Sequence, residues 1–157
     1  MISWDAVTAL ATVALAIGIP ATLYVEGQAR KNEMKRERYS EYTKRYQEIF
    51  THLPYNIFVA GAELVDLKPD QKAWMVAYID LCNEELFDFA YGTIDDKIWA
   101  EWSGSLRRAF DQGSPLKGIF DEVSKNYPSF NQYLKNPKMD KEKIRDSFEK
   151  TNSTDYQ

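Results

Sequence analysis

The sequence contains one cysteine and one histidine among its 157 residues. Cys82 has no partner for an internal disulfide, which is typical of a protein from a reducing compartment. A helical di-metal site takes a Glu-x-x-His unit from each of two helices, and His52 has no Glu three residues before it. The sequence therefore indicates no catalytic residue, no cofactor and no metal ligand.

Glycine and proline are also scarce, with 7 and 6 residues respectively. So few turn-forming residues argue against a β architecture with many tight turns. There is no glycine-rich phosphate loop, and Ser103-Gly104 lacks the flanking glycines of a nucleophile elbow. These absences predict an all-α protein and favour a role other than catalysis.

An uncharged run rich in Ala, Val, Leu and Ile extends from Ala6 to Val25. Because a bilayer core takes roughly 20 such residues in a helix, the run predicts one transmembrane helix. Trp4 and Tyr24 bracket it at headgroup depth. All the basic residues near the run follow it, and basic residues beside a transmembrane helix stay on the cytoplasmic side. The sequence therefore predicts a single pass through the inner membrane, with the N-terminus outside and the C-terminal domain in the cytoplasm. The basic residues expected to contact lipid headgroups are Arg30, Lys31, Lys35, Arg36 and Arg38.

Small residues recur at every fourth position in the apolar run. Such stripes let helix backbones approach closely in a bilayer, which a helix surrounded only by lipid does not need. The pattern favours packing against other transmembrane helices, in a larger membrane complex or a homo-oligomer. The predicted packing residues are Thr8, Thr12 and Ala16 on one stripe, and Ala14, Gly18 and Thr22 on the other.

Charge is divided unevenly along the chain. Residues 26–50 have seven basic and five acidic side chains, whereas residues 51–157 have thirteen basic and eighteen acidic. Because phosphate contacts need a basic face, the acidic part argues against nucleic acid as a partner.

The charged stretch has an apolar stripe at helical spacing, which predicts that the first helix continues to Leu53. The stripe consists of Tyr39, Tyr42, Tyr46, Ile49, Phe50 and Leu53. Proline and glycine then divide the rest into short helices. The predicted regions are a transmembrane anchor over 1–25, a basic juxtamembrane helix over 26–53, a helical domain over 54–136 and a charged tail over 137–157.

Within the helical domain, Pro69 is suited to a helix first turn and Gly92 to a helix stop. Thr93 is the expected cap of the next helix, and Ser114-Pro115 is a cap followed by proline at the first helical position. We expect these signals to separate a helix over 69–91, a second ending near Gly113 and a third ending near residue 127.

Acidic residues are concentrated on the first of these helices. Asp80, Glu84 and Asp88 recur at four-residue spacing and are expected to form a solvated face. Glu85 lies toward the apolar side, where a carboxylate requires hydrogen-bond donors. We expect a structural polar cluster that joins two helices, consisting of Asn83, Glu85, Trp99, Trp102, Arg107 and Arg108.

Three segments occur in an order that resembles a known family: 78–87 with Asn83-Glu84-Glu85, then 92–95, then Trp99-Ala100-Glu101-Trp102. They are similar to a family of small bacterial membrane-anchored helical proteins of unknown function, over residues 3–135. Members often have Pro-x-Phe and another Trp after the tryptophan pair, of which Ser114-Pro115-Leu116 retains only the proline. The resemblance implies a bacterial origin and an all-α architecture, and it implies no catalytic residue.

The resulting hypothesis is a bitopic accessory or scaffold protein that binds a partner through its span and its aromatic-rich helical domain. Aromatic side chains dominate binding hot spots, and the chain has 4 Trp and 10 Tyr. Two alternatives stay open at this point: a self-assembling, membrane-anchored signalling or defence module, and an enzyme with a polar site around Glu85.

Overall fold

The computed structural model describes the backbone of residues 4–58 and 67–154, and the side chains of 26–54, 56–58, 67–151 and 153. All the regular secondary structure of the described backbone is helical, with no strand, which confirms the all-α prediction. The α-helices are α1 (Trp4–His52), α2 (Pro69–Ala90), α3 (Asp96–Ala109), α4 (Pro115–Val123), α5 (Pro128–Lys135) and α6 (Lys141–Thr154). Short 3-10 helices lie at Tyr55–Phe58 and Ser124–Asn126.

Local signals explain where most of these helices begin and end. Pro69 occupies the first turn of α2, and Gly92 adopts a φ of 82° directly after that helix, a conformation that favours glycine. Ser114 caps α4 by accepting a hydrogen bond from the backbone N–H of Lys117. The expected cap of α3 was wrong by two residues, because the side chain of Asp95 accepts from the N–H of Lys97.

The chain divides into two compact units, Met1–Glu37 and Arg38–Gln157. The second, called the helical unit below, contains the last part of α1 and all the later helices. Helix α2 lies at its centre, because α3, α4, α5 and α6 all pack against it. Ile79, Leu81, Cys82 and Leu86 on α2 are completely buried, as expected for a helix with neighbours on several sides.

Helix α6 belongs to the same core. It packs against α2 and α5, with Ile144 completely buried and Phe148 nearly so. The charged tail predicted over 137–157 contains this helix, and its side chains Ile144 and Phe148 lie in the core.

Among the residues that the structure describes, no helix is long and apolar enough to cross a membrane. The part of α1 with described side chains, 26–52, has charged residues on nearly every turn, whereas a span requires roughly 20 predominantly apolar residues. This finding contradicts the predicted transmembrane helix and the predicted single-pass localisation. The expected helix-packing and headgroup residues of the apolar run lie outside the described side chains: Trp4, Thr8, Thr12, Ala14, Ala16, Gly18, Thr22 and Tyr24.

Candidate functional site

Carboxylates of α2 hold the last part of α1 in the helical unit. The Asp88 carboxylate accepts a hydrogen bond from the Tyr42 hydroxyl at 2.7 Å and pairs with the Arg38 guanidinium at 3.1 Å. One turn earlier on α2, Glu84 pairs with Arg45 through two guanidinium nitrogens. Later residues of α1 thus meet earlier residues of α2, so the two helices run antiparallel.

The third carboxyl of this interface belongs to Glu85, whose side chain is 0% exposed. Its Oε2 accepts a hydrogen bond of 2.7 Å from the Tyr46 hydroxyl, while its buried Oε1 has no partner among the described residues. Burial raises the pKa of Glu85 from 4.5 to about 8, although the Tyr46 hydrogen bond and the Arg45 charge oppose the increase. The carboxyl is therefore mostly protonated at neutral pH.

Tyr46, Tyr78, Cys82 and Glu85 form what we call the buried carboxyl cluster. Burial raises the pKa of the Cys82 thiol well above its ordinary value, and the nearby Glu85 raises it further. Burial likewise raises the pKa of both tyrosine hydroxyls. All four groups are consequently uncharged at neutral pH, which lets them share an apolar interior at low electrostatic cost.

The partner of Glu85 differs from the one expected from the sequence. An arginine or tryptophan of α3 was predicted, but the donor is Tyr46 of α1. Trp99 stacks on Phe89 with ring centroids 4.7 Å apart, and Trp102 stacks on Tyr39 at 5.6 Å. Each predicted tryptophan thus packs against another aromatic ring.

The remaining members of the expected cluster are dispersed over the surface of the helical unit. The Arg107 guanidinium donates to the Ser103 carbonyl, and Arg108 donates to the Ser105 hydroxyl at 3.0 Å. Asn83 is half-buried and lines a separate surface depression. Of the predicted polar cluster, Glu85 and Trp99 are buried, and the Trp99 indole N–H donates to the Tyr133 hydroxyl instead of to Glu85.

The acidic residues expected to form a solvated face also have tertiary partners. Asp80 and Glu84 are exposed as predicted, whereas Asp88 is buried. Glu84 nevertheless pairs with Arg45, and Asp80 accepts a hydrogen bond from the Tyr127 hydroxyl. The sequence pattern missed these pairs because the donors lie about 40 residues or more away in the chain. This carboxylate face of α2 therefore binds neighbouring segments of the protein.

Of the predicted headgroup contacts with described side chains, Arg38 is paired with Asp88 and Glu41 inside the helical unit. Arg30, Lys31 and Arg36 are exposed, and Lys35 is half-buried. No group of three or more His, Cys, Asp or Glu side chains in the described part of the chain is arranged to hold a metal ion.

A groove lies between α1 and α3 on the surface of the helical unit. It consists of two adjoining cavities of about 590 and 330 Å³, which share Phe50, Tyr78 and Ser105. We call it the aromatic groove, because most of its large lining side chains are aromatic. Its lining consists of Tyr39, Thr43, Tyr46, Gln47, Phe50 and Leu53 from α1, Phe58 and Tyr78, and Trp102, Ser105, Leu106, Arg108 and Ala109 from α3.

The predicted stripe on α1 is divided between the core and this groove. Tyr42, Ile49 and Leu53 are buried, whereas Tyr39 and Phe50 are each 48% exposed. A stripe that only packed on α2 would leave fewer aromatic rings in contact with water.

The aromatic groove and the buried carboxyl cluster are adjacent, because Tyr46 and Tyr78 belong to both. Tyr46 bonds to Glu85 and also lines the groove, while the Tyr78 ring packs on Phe50 and Phe58 at centroid distances of 6.2 and 5.0 Å. The polar cluster therefore holds the side chains that form the floor of the groove.

Comparisons with protein-family models, curated proteins and solved structures find no match for this chain. The resemblance to the family of membrane-anchored helical proteins thus stays a prediction.

Proposed function

We propose that the helical unit is a protein-binding module and that the aromatic groove is its binding surface. The observation that carries this proposal is the pair of adjoining cavities, lined along its length by side chains of both α1 and α3. Exposed, contiguous apolar patches on a protein surface mark interaction sites. Exposed aromatics such as Tyr39 and Phe50 also provide the large, rigid contacts that dominate binding energy.

The polar interface beneath the groove supports the same function. Burying Glu85 costs free energy, yet the protein retains it with one hydrogen bond from Tyr46. With the Asp88 and Glu84 pairs, it holds α1 in a single register on α2. Helix α3 also packs on α2, so both walls of the groove are fixed to the same helix. A binding surface made from two helices requires such a rigid arrangement, because ordering the walls during association would weaken binding.

Site-specific photo-crosslinking tests the proposal. A photoreactive amino acid at position 50 of the full chain, expressed in its native cell, should crosslink to another protein. Position 125, which is exposed and distant from position 50 in the sequence, provides the control. Peptide mapping should place the crosslink on an apolar segment of the partner. Phe50→Glu should abolish co-purification of that partner, because the added charge would be buried in the apolar contact.

Phe87→Glu is the matched control, because Phe87 is a comparably exposed aromatic at 39% and lies outside the groove. Circular dichroism should confirm that both variants are folded. Crosslinking from position 50 no stronger than from position 125, or equal loss of the partner in both variants, contradicts the proposal.

An enzyme built around Glu85 is the second candidate, because a carboxyl with a pKa of about 8 is suited to proton transfer near neutral pH. Glu85 and Cys82 are both 0% exposed, so a substrate would have to displace Tyr46 to reach them. The rate at which iodoacetamide labels Cys82 measures this access. Labelling much faster than global unfolding would favour the enzyme, whereas labelling at the unfolding rate favours the binding module.

A further inference from the structure

Among the described residues that line the aromatic groove, one has a charged side chain. Arg108 lines the larger cavity, and the described lining contains no carboxylate. The guanidinium is exposed and donates one hydrogen bond, to the Ser105 hydroxyl of its own helix. Among the described residues it forms no ion pair, so its other N–H groups are available to a ligand.

The walls of the groove follow two helices at spacings of three and four residues. On α1 the lining includes Tyr39, Thr43, Tyr46 and Phe50, and on α3 it includes Trp102 and Leu106. From Tyr39 to Leu53 the wall is about 21 Å long at 1.5 Å per residue. A third helix of about 14 residues matches this length, and amphipathic helices commonly bind in grooves of this kind.

Building on the proposed function, we infer that the aromatic groove binds an amphipathic helix of a partner protein, and that an Asp or Glu of that helix pairs with Arg108. The apolar stripe of the partner would contact Phe50 and Trp102, and its carboxylate would receive two N–H bonds from the guanidinium. Arginine is well suited to this pairing because its planar fork matches a carboxylate.

Charge argues against a second copy of this chain as the occupant. In a symmetric pair joined groove to groove, each Arg108 would face a lining whose described residues include no carboxylate. A buried arginine without a counter-charge is costly. A partner with an acidic residue beside its apolar stripe satisfies both the shape and the charge of the groove.

The test is a selection from a displayed library of 14-residue helices with a fixed apolar stripe and random flanking positions, using the immobilised full chain. The wild type should enrich Asp or Glu at one flanking position. Arg108→Glu should enrich Lys or Arg there, and it should weaken the best acidic peptide about tenfold. Arg108→Gln, which has no charge, should lose the preference without reversing it.

Arg107→Glu is the matched control. Arg107 is the adjacent residue, is also exposed in the last turn of α3, and lies outside the described groove lining. Its replacement changes net charge and helix-end electrostatics in the same way, so it should leave the selected peptides unchanged. An unchanged preference in Arg108→Glu, or the same reversal in Arg107→Glu, overturns the inference.

The Phe50→Glu variant distinguishes a failure of this inference from a failure of the proposed function. Helices that bind the wild type but not Phe50→Glu, with no dependence on Arg108, would support the groove and overturn the acidic pairing. The absence of any helix sensitive to Phe50→Glu would overturn this inference, whereas crosslinking from position 50 decides the proposed function independently. Sedimentation of the full chain alone is the last measurement, since a dimer lost in Phe50→Glu would identify the occupant as a second copy and refute the hetero-partner.

Discussion

Replacing Glu85 by Gln should remove a large pH dependence of stability. In the folded protein the Glu85 carboxyl has a pKa of about 8, against an ordinary value of 4.5. The unfolded chain therefore releases this proton at lower pH than the folded protein does. Because the unfolded state binds fewer protons between these values, the free energy of unfolding should fall as pH rises from about 4.5 to 8.

The difference of about 3.5 between the two pKa values corresponds to about 5 kcal/mol, at about 1.4 kcal/mol for each unit. The contribution is fully present below the unfolded pKa and is lost as pH rises through the folded value. Between pH 5.5 and pH 8, the wild type should lose about 3 kcal/mol of stability from this carboxyl alone. Gln resembles the protonated carboxyl in shape and does not titrate in this range.

Urea unfolding at pH 5.5 and pH 8, monitored by tryptophan fluorescence, measures the difference. In Glu85→Gln the loss of stability between the two pH values should be smaller than in the wild type by about 3 kcal/mol. Glu122→Gln is the control, because Glu122 is an exposed carboxylate on α4. If Glu85→Gln retains the full wild-type pH dependence, Glu85 is not a buried carboxyl with a raised pKa.

Four further substitutions test the structure through thermal or urea unfolding. Tyr42→Phe removes the hydroxyl that donates to buried Asp88, and it should cost about 1–3 kcal/mol; no loss would mean that water replaces the hydroxyl. Gly92→Ala, at a φ of 82°, should lower the free energy of unfolding by about 1 kcal/mol. Gly118→Ala, on the exposed face of α4, should raise it by about 0.5–1 kcal/mol. Effects of the same sign would contradict the assigned backbone conformations. Ile144→Ala should cost about 2–5 kcal/mol by opening a cavity beneath α6, and a negligible cost would show that α6 is not part of the core.

Much of the helical organisation was predictable, because the signals act over a few residues. Pro69 and Ser114-Pro115 begin helices since proline needs no hydrogen-bond acceptor in the first turn, and Gly92 ends one since it adopts a positive φ without steric cost. The position of Glu85 on the buried side of α2 was likewise predictable from its helical phase, next to Cys82 and Phe89.

Contacts between distant segments were not predictable in this way. The donor to Glu85 is Tyr46, 39 residues earlier, and the burial of Ile144 depends on the packing of α6 against α2 and α5. Many side chains could satisfy a buried carboxyl or cover an apolar face, and local spacing does not distinguish among them. The choice depends on how several helices pack at once, and so does the aromatic groove, which exists only because α1 and α3 leave a space between them.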